Sequence, residues 1–221
     1  MSRNPDTSPA GRSQVDELAR NLMIWRGQRD ALVRRFDRFV LRHEAAHQIL
    51  FNLGAHTRGA ANPPWLVEGL ACQFEVAPNV PQGTLHGVNQ MRLADLREAL
   101  GVGSSATTIG DIKFQALIDE GRLVQLDEFV GNAALFQQPD ANRALLYAQA
   151  WALVLYLHRE HPAEFSRYVR HLARRKGGEQ FDRRREIEDF TAAFAAPDAK
   201  LLRDVIDSTL RLHFDPHSDG P

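Results

Sequence analysis

Apolar positions recur along this chain at three- and four-residue intervals, the period of one face of an α-helix, and no stretch reads as a convincing hairpin. Near the N-terminus Leu32, Phe36, Phe39, Val40, Leu50 and Phe51 keep this spacing, and His43 and His47 continue the same stripe. Residues 1–12 read as a disordered lead. Ser13, followed three residues later by Asp16, resembles a capping signal and predicts a first helix to about Trp25 or Gly27. A second helix spans about 29–53, with Gly54 standing where a C′ glycine belongs. The two are either separate or one long helix interrupted near Gly27. A Gly/Asn/Pro loop over 55–64 leads to a helix over 65–75, with Pro64 suited to its first turn.

Further on, a loop over 78–87 precedes a helix over 88–100 closed by Gly101. Residues 103–110 form a Ser/Thr/Gly linker, 111–130 hold short helical elements, and 131–142 are irregular. The strongest helix spans 143–159, where Leu145, Leu146, Trp151, Leu153, Val154 and Leu157 make a thick apolar band. Trp151 and Tyr156 belong to its core. The residue before a proline is pushed out of the helical region, so His161-Pro162 is a boundary and Pro162 starts a helix ending near residues 177–178. Two more helices over 181–212 part near Pro197, and 213–221 is a frayed tail. The pattern predicts a mainly α fold with one helical domain over 13–212.

Composition narrows the function. The chain has 221 residues, is 43% apolar and 25% charged, and can bury an ordinary core. With 27 basic and 28 acidic residues, its balance makes no case for a nucleic-acid partner or an anionic surface. The basic runs at 174–176 and 183–185 have acidic neighbours and read as a solvated helix face. A lone cysteine, Cys72, excludes an internal disulfide framework. No apolar run is long enough to span a membrane. The first residues carry no export signal, which points to the cytoplasm, or to secretion or the periplasm if the native start lies further upstream.

Chemistry concentrates at His43-Glu44-Ala45-Ala46-His47, an H-E-x-x-H string on the second predicted helix. Histidines at i and i+4 share one helix face and can both reach one metal ion. Glu44, about 100° around the helix, points toward a metal-bound water rather than the metal. Zinc is the expected ion, with one open position for water. A third ligand must come from elsewhere. Glu68, one turn into the helix after the loop, faces the histidines if that helix returns beside the first. Cys72 shares the face of Glu68 but is expected to be a buried core cysteine. Neither Ala45 nor Ala46 can support the histidine rings, so a partner for their outer N–H comes from elsewhere. Glu75 and Asp95 are the candidates, with Asp95 better read as solvated. His56 reads as a surface histidine, and the remaining histidines show no ligand spacing.

H-E-x-x-H followed by Trp65-Leu66-Val67-Glu68-Gly69-Leu70-Ala71 resembles the gluzincin zinc metallopeptidases. It is most similar to an uncharacterised bacterial family of peptidase-MA-like domains, whose later Y-A-x-x-W-A-L-V-x-Y-L segment is matched by residues 147–157. The resemblance implies zinc held by His43, His47 and Glu68, Glu44 as general base, and Tyr147 as hydrogen-bond donor to the tetrahedral intermediate. It implies a peptidase acting on a peptide or protein. The usual N-terminal β-sheet subdomain, which would hold an extended substrate, is missing or reduced here, because only 42 residues precede His43. Gln73 stands where an aromatic is usual. The alternative is a zinc-stabilised helical binding module without activity.

Overall fold

The computed structural model describes residues 9–56, 61–76, 88–139 and 141–212, the side chains of 9–15 and 35 excepted. Among these residues every regular element is helical, as the spacing of apolar positions predicts. The expected loop at 78–87 and the frayed tail lie outside the described residues, as do the first eight residues of the expected lead. Residues 9–12 are helical. The chain falls into two compact units, Met1–Leu41 and Arg42–Pro221.

Helix α1 (Pro9–Asn52) runs unbroken for 44 residues. It starts before the expected Ser13, because proline has no N–H to satisfy and its φ suits a first turn. Gly27 does not interrupt it; a glycine costs about 1 kcal/mol relative to alanine in a helix interior, which so long a helix absorbs. Gly54, at φ +74°, takes the left-handed conformation expected of a C′ residue. The predicted apolar stripe divides. Leu32, Phe36 and Val40, in the first unit, are exposed, whereas Leu50 is buried with Ala46 and Ala71.

The second unit is built around α6 (Arg143–Glu160), capped by the Asn142 side chain, which accepts from the Leu145 N–H. Eleven of its eighteen residues are buried, so it is apolar nearly all round and lies inside rather than on the surface. Against it pack α2 (Pro64–Cys72), α3 (Gln90–Leu100), α7 (Pro162–Leu172) and α9 (Ala199–Leu210). The residues predicted as short helical elements form α4 (Asp111–Asp119) and α5 (Leu126–Gly131), and a 3₁₀ turn (Ala133–Gln137) lies in the stretch expected to be irregular. Helix α8 (Arg183–Ala193) packs on α5 and α7. Trp65 of α2 stacks on Tyr168 of α7 and meets Phe190 of α8 edge-on.

Helix α7 stops at Leu172, short of the predicted glycines. In the turn that follows, Arg175 goes inside instead of joining a solvated basic face. It pairs with Glu186 and Asp189 and donates to the Ala61 carbonyl at 2.9 Å. A buried guanidinium is tolerated only when so paired.

Gly69 lets α2 lie directly on α6. A Cβ there would stand 2.5 Å from the Ala150 carbonyl oxygen and 2.6 Å from Val154 Cγ2. Gln73, one turn on, donates to both the Gly69 and Trp151 carbonyls at 3.1 Å and ties the same two helices. The residue beside this close approach is Glu68.

Candidate metal centre

The last turns of α1 carry His43 and His47 on one face, as i, i+4 spacing requires. Their rings meet edge-to-face with centroids 4.7 Å apart and Nε2 atoms 3.0 Å apart. Helix α2 brings Glu68 against them: its Oε2 lies 3.1 Å from His43 Nε2 and 3.5 Å from His47 Nε2. Three donor atoms therefore converge at 3.0–3.5 Å. A tetrahedral zinc with bonds of about 2.0–2.1 Å holds its ligand atoms about 3.4 Å apart, so this set has the right size and chemistry for that ion. Sequence spacing brought forward these three residues, and the tertiary structure places all three together.

Burial alone would lower the pKa of His43. Its hydrogen bonds with Cys72, Glu68 and Glu75 outweigh that and push it up to about 12. Burial would raise Glu68, but its hydrogen bonds to His43 and His47 hold it down at about 2. A metal ion entering this set competes with the protons the ligands share.

Glu75 is the support for His43. It is 1% exposed, and its Oε1 lies 2.9 Å from His43 Nδ1. Arg92 donates to both its oxygens, at 2.6 and 2.9 Å, and Asn89 Nδ2 donates at 2.6 Å. With four such bonds to an ionised carboxylate, the proton of that contact is held on Nδ1, so it is the Nε2 proton, shared with Glu68, that a metal ion would displace to free a lone pair facing Glu68 and His47. Asn89 also caps α3, accepting from the Arg92 N–H at 3.2 Å. The N-terminus of α3 is thus built into the support of the centre. Among the described residues Asp95 joins through Arg92, at 3.3 Å. Sequence reasoning singled out Glu75 and missed Asn89 and Arg92; the only signal was a capping asparagine with an arginine three residues on.

Cys72 is buried, and burial pushes its thiol up to about 11. It joins His43 and Glu75 in a second set of atoms within metal-ligand reach. That set is unsuited to a cation, since the Arg92 guanidinium already occupies both Glu75 oxygens.

Glu44 is exposed on the same helix. Tyr147, on α6, lies beside His43 with ring centroids 5.8 Å apart, and the Arg92 guanidinium stands over the Tyr147 ring, 5.1 Å from its centre. Burial and the nearby Glu68 charge raise its phenol pKa. His56 is not a surface residue: it is 7% exposed, its Nε2 has no hydrogen-bond partner among the described residues, and burial lowers its pKa. The chain turns inward directly after α1, a tertiary placement that the polar loop composition concealed. His171 pairs with Asp189 at 3.2 Å, away from the centre. His86, His213 and His217 lie outside the described residues.

Residues 39–178, 140 of the chain's 221, match the family model described as a protein of unknown function, DUF1570. The chain belongs to the DUF1570 family. The DUF1570 span begins four residues before His43 and takes in Glu68, Cys72, Glu75, Asn89, Arg92 and Tyr147; α8 and α9 lie beyond it. No curated protein and no solved structure gives a significant match.

Proposed function

We propose that this DUF1570 protein is a zinc-dependent hydrolase of the gluzincin type, acting on peptide bonds. The observation that carries this reading is the convergence of His43 Nε2, His47 Nε2 and Glu68 Oε2 within 3.5 Å of one another, with Glu44 on the exposed flank of the same helix. His43, His47 and Glu68 would hold the ion. When bound, zinc supplies a Lewis acid and lowers the pKa of water to about 7. Glu75 keeps His43 in the tautomer that offers Nε2. Glu44 is the group to take a proton from the attacking water and return it to the leaving amine. Tyr147, next to His43, supplies a neutral O–H to the developing oxyanion.

The test is zinc content by elemental analysis together with cleavage of a generic peptide pool. Native protein holding about one zinc and cleaving, with Glu44→Gln holding zinc and inert, supports the assignment. Equal inactivity of both at equal zinc content favours the second reading, a zinc-stabilised helical binding module. One observation speaks for that rival: no strand occurs among the described residues to hold an extended peptide.

A further inference from the structure

The first unit presents a feature that the metal centre does not use. Along α1, residues 18–41, Leu18, Leu22, Trp25, Leu32, Phe36 and Val40 are spaced at threes, fours and one seven. At 100° per residue they fall within one sector of the helix. All six are exposed, Trp25 at 71% and Phe36 at 60%. Elsewhere in the chain the other two tryptophans, Trp65 and Trp151, are no more than 1% exposed. A sector of exposed apolar side chains that includes a tryptophan and a phenylalanine is the kind of surface that marks an interaction site.

Charge indicates what covers it. Residues 18–41 contain six arginines and two aspartates, a net +4 (6 − 2), in a chain whose total is −1. Arg20, Arg26, Arg34 and Arg38 lie off the apolar sector by the same helical geometry. Arg29 lies inside it and pairs with Asp30 at 2.7 Å, its long stem able to lie along the apolar surface. Leucine, tryptophan and phenylalanine gathered in one sector, with arginines over much of the rest beside the exposed Met23, Ile24 and Leu41, suit a helix that lies in a membrane interface. A second copy suits it less, since pairing two such faces brings Arg29 and the flanking arginines against their like.

We infer that residues 18–41 form an in-plane anchor for anionic lipid surfaces, the apolar sector seated among acyl chains and the arginines among headgroups. The inference is independent of the zinc reading, because none of its residues belongs to the centre.

Trp25 is a built-in probe, the other tryptophans being shielded. Full-length protein is titrated with vesicles of phosphatidylcholine, with or without roughly one third phosphatidylglycerol, following tryptophan emission and co-sedimentation. The expected result is a blue shift and a partition at least about tenfold stronger into the anionic vesicles, weakened by salt. Trp25→Phe should abolish the shift but not the partition. Leu32→Asp with Phe36→Asp should abolish both, while the melting transition reported by Trp65 and Trp151 is kept. Arg34→Glu with Arg38→Glu should remove the preference for anionic vesicles by about tenfold or more. Equal partition into neutral and anionic vesicles, none into either, or binding retained by the Leu32/Phe36 variant overturns the inference. So does a stable dimer in which Trp25 is already shielded without lipid.

Discussion

Replacing Gly69 by alanine sets two well-known effects against each other, and the geometry decides which wins. In a helix interior the change is worth about 1 kcal/mol in favour of alanine. Against that, the new methyl would stand 2.5 Å from the Ala150 carbonyl oxygen and 2.6 Å from Val154 Cγ2. Carbon normally approaches a carbonyl oxygen to about 3.3 Å and another carbon to about 3.5 Å. Close to 1 Å must therefore open between α2 and α6. Neither partner yields easily: one is helix backbone, the other a β-branched side chain with one strongly preferred rotamer in a helix. Overpacking of this kind costs about 1–3 kcal/mol, and two contacts so deep within van der Waals distance place it at the upper end. The net expectation is a loss of about 2 kcal/mol. Urea denaturation of the metal-free protein measures it as a lower midpoint at unchanged slope. The same displacement carries Glu68 away from His43 and His47, so zinc affinity should fall as well, since ligand distances tolerate only about 0.2 Å. A Gly69→Ala protein as stable as the native one would refute the close-approach argument. Gly27→Ala is the control of opposite sign, because a Cβ at Gly27 meets nothing within 4 Å; helicity should hold or rise.

The remaining expectations concern the centre and its support. Arg92→Met leaves Glu75 ionised and buried with a main partner gone; chemical denaturation should show a loss of about 3–5 kcal/mol. Glu75→Gln should weaken zinc binding about 10–100-fold in a competition titration, because Nδ1 of His43 loses its carboxylate. Zinc affinity should rise with pH, since His43 keeps its proton up to about 12 in the metal-free protein and zinc must displace it; calorimetry in buffers of different ionisation enthalpy should record proton release on binding. Tyr147→Phe should keep the fold and the zinc while lowering turnover of a cleaved peptide about 10²–10³-fold; unchanged turnover removes Tyr147 from the mechanism.

Much of this protein is written locally. The H-E-x-x-H spacing puts two imidazoles on one helix face wherever that helix sits, because i and i+4 are neighbours by helical geometry alone. A dense apolar band marked α6, and Pro64, Pro162, Gly54 and Gly101 marked starts and stops, because their backbone preferences act within a few residues. What local signals could not decide was which groups meet across the fold. That Glu75 turns inward to His43, that Arg92 and Asn89 hold it there, and that His56 and Arg175 are buried rather than solvated all depend on how α2, α3 and α8 pack. A charged or polar residue has the same local pattern in either place. Only burial, with the partners it then demands, separates the two. Likewise the stripe on α1 has one period from Leu32 to Leu50, yet Leu50 is buried and Leu32 is not. Periodicity shows that a face exists; the tertiary structure alone shows what, if anything, covers it.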